Sequence, residues 1–190
     1  MVDVVVKVGG ALLAHGRHFD AVLATIGDVA RDRRLLVVPG GGPFADAVRT
    51  VDRRIALSDD AAHWMAVLAM DQYAHLLADR LADAVVVADR PSIGAAFEHK
   101  KLPVLAPFRW MRDADPLPHS WDVTSDSIAA WVAGMLDAKR LVVVKPPGAL
   151  RAATGLVDAS FSDTLPAGIE VVIVGAEQRD DLRRALDSAR

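Results

Sequence analysis

Short apolar runs alternate with longer mixed ones along the chain, and this alternation sets the expected architecture. Six runs are apolar at most successive positions: VDVVVKV, LLVVPG, AVVVA, LPVLAP, RLVVVK and IEVVIVG. A strand with one wet face alternates apolar and polar residues, whereas a strand covered on both faces reads as a continuous apolar run. The six runs therefore read as buried strands. Between them, apolar residues recur at helical spacing over 19–31, 43–51, 59–81, 125–137 and 179–188. Strands and helices in turn imply crossover units around a mainly parallel sheet, so the expected fold is a three-layer α/β/α sandwich.

Composition narrows the picture. With 190 residues, of which 52% are hydrophobic, the chain has material for one sizeable core, and a single domain over 1–190 is expected. No repeat or low-complexity tract divides it, and the richest break is the Pro- and Asp-bearing stretch 112–122. A net charge of −3, from 22 basic and 25 acidic residues, offers no global field for nucleic acid or an anionic membrane, so neither is expected as a partner. Cysteine is absent, which excludes disulfide scaffolds, thiolate zinc sites and cysteine nucleophiles and suits a cytoplasmic protein. No apolar run approaches the roughly 18 residues of a membrane-spanning helix.

The candidate chemistry lies where strands end. In open parallel sheets, ligands bind beyond the carboxyl ends of the strands, where loops lead into helix amino termini. Lys7 sits at such an end and is followed by Gly9 and Gly10. The second strand ends in Gly40, Gly41 and Gly42, with Pro43 suited to a first helical turn. Glycine loops of this kind bare backbone N–H groups and can cradle an anion, though a tight strand-to-helix turn explains a single one equally well. A lysine beside two such loops favours the cradle. Neither GxxxxGK[ST] nor GxGxxG is present, so the two common nucleotide motifs do not apply.

KVGG, VPGGGPFAD and TSDSIAAWVAGMLDAKRLVVVK, in that order, resemble the amino-acid kinase superfamily of acetylglutamate, aspartate, carbamate and uridylate kinases. Within it, VPGGGPFAD, WMA, DVTSDSIAAW and GLVDASF are most similar to the archaeal-type aminomethylfuran-methyl phosphate kinases of methanofuran biosynthesis. The resemblance implies that MgATP, meaning ATP with Mg2+, phosphorylates a small acceptor, most simply a furan-methyl phosphate monoester. It implies catalytic roles for Lys7 and Asp126, nucleotide-phosphate contacts from Gly9, Gly10 and Lys145, and acceptor contacts from Gly40, Gly41, Gly42, Thr124 and Ser125. No resident metal site is expected. Asp126 also has a plain structural reading, as a first-turn carboxylate behind a Thr124 or Ser125 N-cap. Asp122 suits an acceptor ammonium, magnesium or solvent.

The pattern breaks on the nucleotide side. Lys145 is followed by PPGALRAATG in place of a TDVDGV-like run, no GGM-x-x-K block follows, and Ala11 stands where relatives carry serine or threonine. A catalytically weak binding or regulatory protein of the same fold, and a kinase acting on a carboxylate or carbamate, therefore stay open. His15 and His18 share an H-x-x-H spacing without a third ligand and are expected on a loop. The helix carrying His63, Trp64, Met65 and Met70 is apolar around much of its girth, so a homo-oligomer is expected. Trp121, Phe108 and Trp110 are expected on loops near the glycines, where they would either wall an aromatic acceptor or stand as surface aromatics with no ligand.

Overall fold

The computed structural model describes residues 2–152 and 154–187. Among them, six strands form one parallel sheet: β1 (Val4–Val8), β2 (Leu35–Pro39), β3 (Ala84–Val87), β4 (Leu102–Leu105), β5 (Arg140–Lys145) and β6 (Glu170–Gly175). Their order across the sheet is β3-β4-β2-β1-β5-β6, so the chain winds outward twice from β1. The helices are α1 (Gly16–Val29), α2 (Gly42–Ile55), α3 (Asp59–Arg80), α4 (Arg90–Glu98), α5 (Phe108–Ala114), α6 (Ser125–Met135), α7 (Phe161–Thr164) and α8 (Arg179–Asp187). This is the α/β/α sandwich expected from the alternation. The expected last helix reached position 188, which lies outside the described residues.

Two apolar cores flank the sheet. Val4, Val6 and Val8 of β1 pack with α1 and α8 on one face, and Val5 packs with α6 on the other. Every β1 residue is buried, Lys7 among them, because side chains of a central strand alternate between two covered faces. Three helices escaped the periodicity, α4, α5 and the single turn of α7. α4 is announced only by its ends, where Asp89 and Ser92 form a reciprocal capping box around Pro91. α5 lies within and beside the expected break, so Phe108 and Trp110 are helical rather than on a loop. His18 likewise belongs to α1, with His15 as its N-cap residue, which corrects the expected loop. Among the described residues, no helix is long and apolar enough to cross a membrane.

The two glycine loops touch. A methyl group on Gly40 would lie 2.5 Å from the Gly10 nitrogen, and one on Gly10 would overlap the Gly42 nitrogen. Gly42 opens α2 with φ +55°, a conformation that costs a residue with a Cβ. The loops are therefore one backbone-to-backbone unit, not two walls facing across a gap. Gly10→Ala is expected to destabilise the fold by about 1–3 kcal/mol, the usual range for overpacking, because backbone rather than a mobile side chain must yield. Urea unfolding of the variant beside wild type checks this.

Candidate functional site

Strand parity assembles the site. Lys7 is paired between Val38 of β2 and Val143 of β5, and it shares a face with Val5, the face covered by α6. On β5, Leu141 and Val143 point to that same face, so Lys145, two residues on, points there too. Both lysines thus converge at the carboxyl ends of neighbouring strands, under the first turn of α6. Thr124 caps that helix by accepting from the Asp126 N–H, and the capping places the Asp126 carboxylate between the two ammoniums. Lys7 Nζ lies 2.8 Å from Asp126 Oδ1, and Lys145 Nζ donates to Asp126 Oδ2 at 2.7 Å. The Lys145 contact is a directed hydrogen bond, whereas Oδ1 receives none in good geometry, so Lys7 is held by charge and remains available to a better-placed acceptor.

Lys7 and Asp126 are withdrawn from water, each 4% exposed, and Lys145 is half-buried at the mouth. Burial pushes the Asp126 carboxyl up, but the two lysines outweigh burial and hold it below the usual carboxylate range. For Lys7, burial is the largest influence and lowers the ammonium, Lys145 adds a like-charge push, and Asp126 only partly opposes them. The trio carries one surplus positive charge, two ammoniums against one carboxylate, in a dry place. Such a charge attracts an anion far more strongly than the same charge would in bulk water.

A residue that sequence reasoning left unassigned holds this trio in place. Asp158, from the GLVDASF stretch, accepts from the Thr124 N–H at 3.0 Å, the Thr124 hydroxyl at 2.7 Å and the Ser127 N–H at 3.0 Å, and also from the Ser127 hydroxyl. A carboxylate more than thirty residues away thereby saturates the amino terminus of α6 and sets the angle at which Asp126 enters. Its only signal was a place in a familiar stretch, because no local pattern marks a cap supplied from elsewhere in the chain.

Beside the trio lies a cavity of ≈ 210 Å³. Gly10, Gly41 and Gly42 border it at the sheet, Thr124 and Ser125 border it at α6, and α2 and α3 form its long walls. Gly9 and Lys145 lie on the other side, toward β5, where the Gly9 N–H donates to the Val144 carbonyl. Of the expected aromatic wall, only Trp121 borders the cavity; its Nε1 donates to Asp52 Oδ2 at 2.8 Å, and the Arg49 guanidinium lies 4.7 Å over its ring. Phe108 packs edge-on against Trp64 and Trp110 against Trp131, so both leave the site. Asp122 is exposed and away from the cavity. His15 and His18 meet no third ligand, and among the described residues no group of three His, Asp or Glu is placed to hold a metal.

Because Asp126 titrates lower in the folded chain than in the unfolded one, its contribution to stability is present above the unfolded carboxylate value of about 3.9 and is lost as pH falls through the folded value. Asp126→Asn should remove that part of the acid sensitivity. It should also lower stability at neutral pH by about 3–5 kcal/mol, since two buried ammoniums lose their counter-charge. Urea unfolding of both proteins across the acid range measures both effects.

Comparison with known proteins agrees with the geometry. A curated relative, the (5-(aminomethyl)furan-3-yl)methyl phosphate kinase of Methanocaldococcus jannaschii, is 27% identical over 145 residues, which cover 73% of this chain and 63% of the relative. The aligned part thus spans less than two thirds of that protein. Among solved structures, the uridylate kinase of Archaeoglobus fulgidus superposes with a TM-score of 0.70 at 16% identity, covering 98% of this chain and 96% of that one. The UMP kinase of Ureaplasma parvum gives 0.72 at 15% identity, covering 100% and 96%. These two likenesses establish the fold. The model of the amino acid kinase family matches residues 4–146, a stretch running from β1 past Lys145, and the chain belongs to that family.

Proposed function

We propose that the chain, folded as one domain, transfers the γ-phosphoryl group of MgATP to a small phosphate monoester in the cytoplasm. The observation that carries this reading is the state of Asp126. A carboxylate clamped between two ammoniums is a poor general base, so the site suits an acceptor whose attacking oxygen is already ionised. A phosphate monoester, with its second pKa near 6, meets that need, as a carboxylate or carbamate also would, whereas an alcohol does not. The acceptor oxygen forms the new bond to the γ-phosphorus as the bond to the bridging oxygen breaks, and ADP leaves with that electron pair. Lys7 steadies the charge spreading over the equatorial oxygens. Gly9 and Lys145 serve the nucleotide side and Gly41, Gly42, Thr124 and Ser125 the acceptor; Gly10, expected on the nucleotide side, borders the acceptor cavity instead, and Gly40, expected to contact the acceptor, packs behind it against Gly10.

Magnesium enters with the nucleotide phosphates, because Asp126 and Asp158 are both committed to protein donors and build no cation site of their own. The cavity size, the Trp121 wall and the substrate named for the archaeal relative together support a small furan-methyl phosphate as acceptor. A second reading has its own observation. Glu177 accepts the Gly148 N–H at 2.9 Å, in the loop that follows Lys145, and so sets a carboxylate on the side proposed for the nucleotide phosphates. That contact favours a weakly nucleotide-binding regulatory protein.

The two readings separate on incubation with MgATP and a panel of monophosphates and carboxylates, following ADP release. A kinase shows acceptor-dependent turnover that falls on the order of 10²–10³ in Lys7→Ala, the cost of removing one such stabilising contact. Absence of turnover with every acceptor, and of any thermal shift with MgATP, supports the regulatory reading. The chain is also proposed to work as a homo-oligomer through the helix hairpin, where Ile55, Met65 and Leu68 are exposed. Sedimentation at micromolar concentration should show an assembly, and a clean monomer would contradict it.

A further inference from the structure

The wall that α2 gives to the cavity carries Gly42, Ala45, Asp46 and Arg49, residues spaced to share one helical face. Among the described residues, Arg49 is the only lysine or arginine that borders the cavity, and its side chain is 40% exposed, so its donors are within reach of a ligand. The guanidinium is also fixed. It lies 4.7 Å over the Trp121 ring, and Trp121 is tied to Asp52 Oδ2, while the other oxygen of Asp52 accepts the Leu57 N–H at 3.0 Å. Arg49 Nη1 donates to Asp46 Oδ1 at 3.1 Å, which draws the side chain back one turn toward Gly42 and the glycine unit beside β1. Nε and Nη2 donate to no acceptor among the described residues. A planar fork held in place with donors to spare is suited to bidentate capture of an oxyanion.

Charge decides which oxyanion this is. At neutral pH a phosphate monoester carries roughly 1.5 to 2 negative charges, whereas a carboxylate or carbamate carries a single one. The trio offers one surplus positive charge, which matches a carboxylate and falls short of a monoester. The balance has to come from the cavity lining. His63, pushed down to about 4 chiefly by burial, is uncharged at neutral pH, and Asp59, in the exposed first turn of α3, adds no cation. Arg49 remains. Its pairing with Asp46 competes weakly with a ligand, because Asp46 is 73% exposed and a surface ion pair of this kind contributes little, whereas a phosphate meets the fork with two oxygens at once.

We infer that Arg49 selects a phosphate monoester over a carboxylate acceptor: its guanidinium, laid flat on Trp121, donates from Nε and Nη2 to two phosphate oxygens other than the attacking one. This rests on the acceptor reading of the cavity and separates two acceptor classes that the state of Asp126 leaves equal.

Calorimetric binding to the whole chain at neutral pH, without nucleotide, tests the selection apart from catalysis. The probes are benzyl phosphate and phenylacetate, which share a ring on a one-carbon arm and differ in the charged group. Wild type should prefer benzyl phosphate. Arg49→Met should weaken benzyl phosphate by about tenfold to a hundredfold, the worth of hydrogen bonds to a charged group, and change phenylacetate by less than about twofold. Arg49→Lys, which keeps the charge and loses the fork, should fall between wild type and Arg49→Met. From about pH 5 to pH 7.5 the wild-type affinity for benzyl phosphate should rise as the second phosphate proton leaves, and it should rise less in Arg49→Met; a merely structural role for Arg49 would leave that profile unmoved. Wild type that binds both probes equally, or neither, overturns the selection. So does an Arg49→Met protein with wild-type thermal unfolding that keeps the preference; should that variant unfold early, an undiminished preference in Arg49→Lys overturns it instead. Phosphate binding that depends on Arg49, with no phosphoryl transfer to any acceptor, supports the selection and overturns the kinase reading. Turnover of a monoester with an unchanged KM in Arg49→Met does the reverse.

Discussion

A single buried carboxylate shared by two ammoniums, one buried and one half-buried, is the constraint on which the rest depends. Lys7 and Lys145 end neighbouring central strands and point to one face, and two like charges in a dry place repel unless something sits between them. Asp126 does so, and it stays there only because the amino terminus of α6 is anchored. That anchoring explains the otherwise extravagant arrangement at Asp158, where one carboxylate takes bonds from two backbone and two side-chain donors. The polar network sits against an apolar core of valines on β1 and β5 and alanines on α6, which keeps water out and the charges strong.

The same constraint directs the chemistry. With its charge spent on two lysines, Asp126 is suited to organising cations rather than removing protons, so the proposed phosphoryl transfer would work by placement and electrostatics. The touching glycine loops add backbone donors without adding side chains, which leaves space for phosphate groups close to the lysines. The cavity opens beside this point between α2 and α3, and the hydrogen bond from Trp121 to Asp52 ties the segment before α6 to α2 along its side.

Much of this was legible from residue order, and the reasons differ by feature. The strands were visible because burial on both faces makes continuous apolar runs, and Lys7 stood out by interrupting one. α4 and α5 were missed because their apolar stripes are short; the signal for α4 was the capping pair of Asp89 and Ser92 rather than a period. Roles for Lys7, Asp126 and Lys145 were expected by resemblance, but their meeting in one trio follows from strand parity and register, which require knowing that β1 and β5 are neighbours. Asp158 and Asp52 were beyond local reading, since each acts on a partner distant in sequence. The placement of Phe108 and Trp110 failed for the related reason that a loop assignment hid a helix turning both rings away from the site.

The most direct measurement of the central claim is a crystal structure with MgADP, aluminium fluoride as a mimic of the phosphoryl group in flight, and an aromatic phosphate monoester. The account expects the planar fluoride at the mouth of the trio, with Lys7 Nζ within about 2.7–2.9 Å of a fluorine, as a charge-assisted contact requires, and Asp126 still between the lysines. A mimic bound away from both lysines, or an Asp126 that has turned out to meet the acceptor as a base, would contradict it.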